Sequence, residues 1–184
     1  MTTELENKLV IKYPHFFDYL KDYTGPIIPI QFGFECDDGW YVILDALMDE
    51  ITNHINCIND RTIIKNKFYR WLFTPCNSLH NFLDCRKSTR KISKLLYKLR
   101  NKIEPKYIKG PQLSVDVTQI KEKFGELRYY YYGGDDVISG MVYLAENLSY
   151  RTCELCGSTE NVTQSKGGWI YTRCEKCINK INNL

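Results

Sequence analysis

The chain has 184 residues, a formal net charge of +3 and eight cysteines. That length buries one good core without help from disulfides. No apolar run is long enough to span a bilayer, and the opening Met1-Thr-Thr-Glu-Leu-Glu lacks the basic-then-apolar order of a signal peptide. A soluble, intracellular protein with reduced thiols and no membrane partner is expected. Charge is unevenly spread: residues 1–60 carry 11 acidic against 3 basic residues, whereas Arg86 to Lys109 carries 10 basic residues and the single acid Glu104. Either the two segments neutralise each other in the fold, or the basic one is offered to an anion or an acidic partner.

In chain order, Leu5, Leu9, Val10, Tyr13, Phe16, Phe17 and Leu20 recur near the helical period, and Pro14 divides them into two short helical pieces. Ile28, Ile30, Phe32 and Phe34 alternate, which predicts a short strand over 28–36, with Pro29 favouring an edge. Asp37-Asp38-Gly39 has the chemistry of a helix start, because a carboxylate there accepts from the free amides of the first turn. A helix is predicted from Trp40 to about Ile58, burying Trp40, Leu44, Leu47, Met48, Ile51, Ile55 and Ile58. Asp45 and Asp49 lie off that stripe, as a solvated face or as a carboxylate pair for a cation or acid–base work.

A shorter helix over 61–73 is expected to close at Thr74-Pro75, and apolar residues continue over 78–84. From Arg86 to Ile103 the period is clearer: Ile92, Leu95, Leu96, Leu99 and Ile103 are expected inside, with Lys87, Lys91, Lys94, Lys98 and Lys102 opposite. Such a lysine row is either an ordinary solvated face or a track for phosphates. Residues 104–112, with two prolines and a glycine, form the best internal boundary.

Beyond it the period falls to two. A hairpin over 113–132 is predicted, turning at Lys123-Phe124-Gly125-Glu126 with Gly125 at positive φ. Its second strand, Leu127 to Tyr132, sends two of four tyrosines to each face. Gly133-Gly134-Asp135-Asp136 ends the hairpin and caps a helix over 137–150, whose inward side is Ile138, Met141, Val142, Ala145 and Leu148.

Cys153-Glu154-Leu155-Cys156-Gly157 and Cys174-Glu175-Lys176-Cys177 then present two C-x-x-C pairs separated by 17 residues. Two short loops can each bring two thiolates to one tetrahedral ion, so Cys153, Cys156, Cys174 and Cys177 are the expected ligands of a structural Zn2+. An iron–sulfur cluster or a redox dithiol is the alternative. Between the pairs a short hairpin is expected from Val162-Thr163-Gln164 and Trp169-Ile170-Tyr171. The other cysteines (Cys36, Cys57, Cys76, Cys85) are scattered singly, as expected of small packed hydrophobes. The fold class is α+β: a helix-rich main domain over 1–151 with a small antiparallel sheet, and a four-cysteine zinc ribbon over 152–184.

The stretches Phe34-Glu35-Cys36-Asp37-Asp38-Gly39-Trp40 and Gln119 to Tyr130, together with Gly168-Trp169 ahead of the second cysteine pair, resemble uncharacterised phage and prophage proteins. The likeness covers roughly 34–51 and 117–177. It implies a small accessory protein in the cytoplasm of a bacterial host and transfers no catalytic residue. No nucleophile motif accompanies His15, His54 or His80, so an enzyme is not expected; Glu35, Asp37 and Asp38 with a histidine would be the residues of a hydrolase or nuclease. Two functions follow. One is a binding protein for a host factor, such as a counter-defence inhibitor. The other is a nucleic-acid or nucleotide binder using the basic helix 86–102 with Lys87, Lys91, Lys94 and Lys98, and the strand 127–132 with Arg128, Tyr130 and Tyr132.

Overall fold

The computed structural model describes residues 1–84, 90–107 and 112–183, with side chains outside 62–66, 69–70, 77, 80–84, 90–91 and 103–107. The elements are α1 (Thr3–Lys12), α2 (Tyr41–Asp84), α3 (Arg90–Tyr107), β1 (Val115–Lys123), β2 (Glu126–Gly133), α4 (Asp136–Ser149), β3 (Val162–Gln164), β4 (Thr172–Cys174) and α5 (Glu175–Asn182). The class is α+β, as read from the sequence. Two compact units are formed: Met1–Ile55 with Leu113–Leu184, and Asn56–Gln112.

In the first unit α1 stops at Tyr13, and Pro14–Phe16 follows as a single 3-10 turn. The proline divides the segment because it cannot donate to the preceding turn. Trp40, just ahead of α2, and Leu44, Leu47, Met48, Ile51 and Ile55 within it are buried in one core with Leu9, Phe16 and Phe34. Asp45 is half-buried and paired: it accepts from Lys12 Nζ at 2.7 Å and Tyr13 Oη at 2.9 Å.

The strand expected over 28–36 is absent. Pro29–Phe32 forms a 3-10 turn instead, and only Glu35 takes sheet geometry, as a parallel bridge to Lys121. Pro29 at the first position fits that turn and Gly33 leaves it at φ +91°, so alternation here reflects a turn that buries Ile30 and Phe34 and leaves Phe32 out. Nor do the aspartates cap α2. Asp38–Trp40 is another 3-10 turn, Asp37 makes no capping bond, and Asp38 Oδ1 accepts from the Thr2 amide at 2.6 Å.

The hairpin turns on Phe124 (φ +57°) and Gly125 (φ +76°), the paired left-handed residues that match strand twist in a two-residue loop. Register slips between Val117 and Gln119, making Thr118 the extra residue of a bulge. The slip has a purpose visible in the sequence: Val115 and Val117 are in phase, Ile120 is not, and the bulge lets all three face the core. A two-stranded sheet leaves both outer edges unpaired. Here Glu35 covers the β1 edge, donating to Ile120 O at 2.9 Å and accepting from the Glu122 amide at 2.8 Å. Side chains of α4 cover the β2 edge: Ser149 Oγ accepts from the Leu127 amide at 2.9 Å and Glu146 Oε1 from the Tyr129 amide at 3.1 Å.

The tyrosine strand divides as period two requires. Tyr129 is buried and Tyr131 packs against the core, while Tyr130 and Tyr132 are exposed. Tyr129 Oη is buried without a hydrogen-bond partner among the described residues, and burial pushes its pKa upward. A buried hydroxyl that forms no bond costs desolvation and returns nothing. Tyr129→Phe is therefore expected to leave stability unchanged or raise it by about 1 kcal/mol; a loss measured by urea denaturation would show a partner for the hydroxyl.

Asp135 caps α4, accepting from the Ile138 amide at 3.0 Å. Its second oxygen accepts from His54 Nε2 at 2.8 Å, which with the cap holds this carboxyl below the usual range. Along α4, Ile138, Val142 and Ala145 are buried, Met141 packs against the core and Leu148, expected inside, is exposed.

In the second unit α2 continues without a break. Thr74-Pro75, expected to close a helix, lies within it. Here α3 is rolled relative to expectation: Ser93 is buried, while Ile92, Leu95 and Leu99 are exposed. Periodicity establishes that an apolar stripe exists; it does not determine which way the stripe faces. Lys94, Lys98 and Lys102 are exposed too. Lys87 falls outside the described residues, as do the side chains of Lys91 and Ile103. Among the described residues no helix is long and apolar enough to cross a membrane.

Candidate metal centre

Two loops build the site. In the first, Gly157 at φ +75° turns the chain back so that its amide donates to Cys153 O at 2.8 Å, and the Cys153 amide donates to Ser158 O at 2.8 Å. In the second, Cys174 ends β4 and immediately precedes α5, so Cys177 sits in the first helical turn. The strands β3 and β4 bring the loops together, with Val162 opposite Cys174. The second strand lies at 172–174 and not at 169–171 as expected; Trp169, assigned to it from the sequence, is exposed.

All four sulfurs lie within 4.8 Å of one another, with Cys156 Sγ and Cys174 Sγ 3.6 Å apart. An ion bonded to four thiolates at about 2.3 Å sets neighbouring sulfurs about 3.8 Å apart, so the cage has the dimensions of one tetrahedral metal centre. Backbone amides tune it. The Cys177 amide points at Cys174 Sγ and, despite the counteracting burial, draws that thiol down to about 7. Burial and the adjoining sulfurs push Cys177 up to about 12. An ion entering the cage displaces the protons that its thiols carry, so binding is coupled to proton release. Four protein ligands fill a tetrahedral ion, leaving no position for a substrate.

The cage is bolted to the core of the first unit by contacts that sequence reasoning missed. The Gly39 amide donates to Glu154 O at 2.7 Å, and Trp40 Nε1 donates to Thr152 O at 3.0 Å. Gly39 touches the first loop so closely that a Cβ would lie 2.2 Å from Cys153 O and 2.6 Å from both Glu154 O and Gly157 N. On the other side Thr172, fully buried, receives the Glu154 amide on its carbonyl at 3.0 Å and donates its hydroxyl to Gly125 O in the hairpin turn. Glu154 is buried and accepts from Arg173 Nε at 3.0 Å; burial pushes its carboxyl up against the pull of that guanidinium.

The remaining candidates are dispersed. Arg128 is committed to Glu126 and to Glu146, the latter at 3.0 Å. Tyr130 and Tyr132 project outward, with Lys121 Nζ 5.4 Å from the Tyr130 ring centre. Glu35 accepts from Gln119 Nε2 at 3.0 Å, His15 sits 3.1 Å from Thr52 Oγ1 and His54 is held by Asp135, so neither histidine joins the acids at 35–38. Cys36 is a packed thiol pushed up to about 12 by burial; Cys57, expected to be packed, is exposed, and Cys85 lies outside the described residues. Comparison with protein-family models, curated proteins and solved structures finds no match.

Proposed function

We propose that this chain is a zinc-clasped, non-enzymatic binding protein that docks a partner protein through its helical unit. Zinc is favoured because soft thiolates alone form the cage and the closed tetrahedral set suits a structural ion. The observation that carries the docking reading is the outward apolar row Ile92, Leu95 and Leu99 on α3, beside exposed Lys94, Lys98 and Lys102. Apolar side chains arranged at helical spacing and left in water mark a surface that gains free energy when covered. The lysines favour an acidic rim on the partner. The likeness to phage-encoded proteins supports a host factor as that partner, with inhibition of a defence component as the consequence.

Affinity purification from bacterial lysate, comparing the native chain with a Leu95→Asp/Leu99→Asp variant, tests this. A stoichiometric partner retained by the first and lost by the second is expected. Retention by both would remove α3 from the interface, and absence of any partner would remove the reading.

A second reading, contact with single-stranded nucleic acid, is favoured by exposed Tyr130 and Tyr132 beside Lys121. It requires affinity that falls steeply with salt and weakens on Tyr130→Ala/Tyr132→Ala. Fluorescence anisotropy with labelled oligonucleotides at two salt concentrations decides it.

A further inference from the structure

Between β2 and α4 lies an open cleft of about 420 Å3, a size at the lower end of small-molecule sites. Its floor is rigid. Arg128 is clamped between Glu126 and Glu146, and Glu146 is itself fixed by the Tyr129 amide. Its walls come from one face of α4 and the residues after it: Tyr143, Asn147, Tyr150 and Arg151. Residues 143, 147 and 150 recur at helical spacing, so the two rings flank the same groove.

Much of this chemistry is unspent. Tyr143 is 70% and Tyr150 48% exposed, so both rings retain surface open to a ligand. Arg151 is exposed, and its guanidinium makes no ion pair or hydrogen bond among the described residues. The Arg128 bonds to Glu126 and Glu146 use two of its five N–H groups, and among the described residues Glu126 accepts through one oxygen only. Formal charge cancels across the two carboxylates and two guanidiniums, so neither a bare cation nor a polyanion suits the cleft. A fitting ligand has a flat face for a tyrosine, donors for a carboxylate beside an acceptor for a guanidinium, and one anionic group.

We propose that this cleft binds a guanine mononucleotide. Guanine sets its N1–H and N2–H donors beside the O6 acceptor, which matches Glu126 next to Arg128. The ring stacks on Tyr143 or Tyr150, and the phosphate meets Arg151. Adenine presents a donor where guanine has O6 and is disfavoured at the same floor. The inference uses neither the metal cage nor the α3 face and stands apart from the docking reading.

Isothermal titration of the full metal-loaded chain with GMP, AMP, guanosine and inorganic phosphate is the test. GMP is expected to bind, guanosine and AMP each about tenfold more weakly, and phosphate alone undetectably at the same concentrations. Arg151→Ala should bring GMP down to the affinity of guanosine, and Tyr143→Leu/Tyr150→Leu should weaken both by tenfold or more, with circular dichroism and metal content unchanged. No heat with millimolar GMP on folded protein would overturn the proposal, as would GMP binding untouched by these variants. AMP binding as tight as GMP would overturn the guanine assignment.

Discussion

Gly39→Ala is expected to destabilise the metal-loaded protein by about 3 kcal/mol, near the upper end of the overpacking range. The new methyl would lie 2.2 Å from Cys153 O and 2.6 Å from Glu154 O and Gly157 N. All three are backbone atoms, so no side chain can swing aside. Either the metal loop moves away from the start of α2, breaking the Gly39–Glu154 and Trp40–Thr152 hydrogen bonds, or the core around Trp40 shifts. Gly140 provides the control. It lies within α4, and a Cβ there meets nothing within 4 Å, so Gly140→Ala should raise stability by about 1 kcal/mol through helix propensity. Urea denaturation of the two variants should therefore give shifts of opposite sign. Equal shifts would mean that Gly39 does not join the clasp to the core.

Removing the metal is the second large effect. Binding to a closed thiolate cage contributes on the order of 10 kcal/mol to the segment that forms it. The strands it joins, β3 and β4, have three residues each and cannot persist alone. Chelation, or Cys174→Ser, is expected to unfold the ribbon and expose Arg173, which in the folded chain is held by Glu154 and stacked 4.0 Å from the Tyr171 ring centre. Trypsin should then cut after Arg173 within minutes, while the metal-loaded chain resists there. Acidification should act in the same direction, because protons compete with the ion for all four sulfurs. An equal cleavage rate with and without chelator would show that the ribbon folds without metal.

Features carried by local chemistry were legible before the structure. The C-x-x-C pairs, the Trp40 to Ile55 stripe, the turn at Gly125 and the cap at Asp135 each depend on residues near one another in sequence. What was illegible depends on distant partners. Gly39 reads as part of a helix start, and only the approach of Cys153, more than a hundred residues away, shows why no side chain fits there. The alternation over 28–34 reads as a strand, but a 3-10 turn with Pro29 and Gly33 at its ends buries Ile30 and Phe34 and leaves Phe32 exposed between them. Thr118 carries no mark of a bulge except that Ile120 is out of phase with Val117, a signal that was present and overlooked. On α3 the stripe was visible, but Ile92, Leu95 and Leu99 are exposed, and periodicity does not encode which way a stripe faces.

A metal-closed clasp seated on the core is the central claim, and metal stoichiometry tests it most directly. Elemental analysis of purified protein, native and with each of Cys153, Cys156, Cys174 and Cys177 changed singly to serine, should give one zinc per native chain. Each variant should bind it at least tenfold more weakly, whereas Cys57→Ser, at an exposed thiol outside the cage, should retain it. A native chain without zinc, or one that keeps it when Cys174 is replaced, would contradict the account.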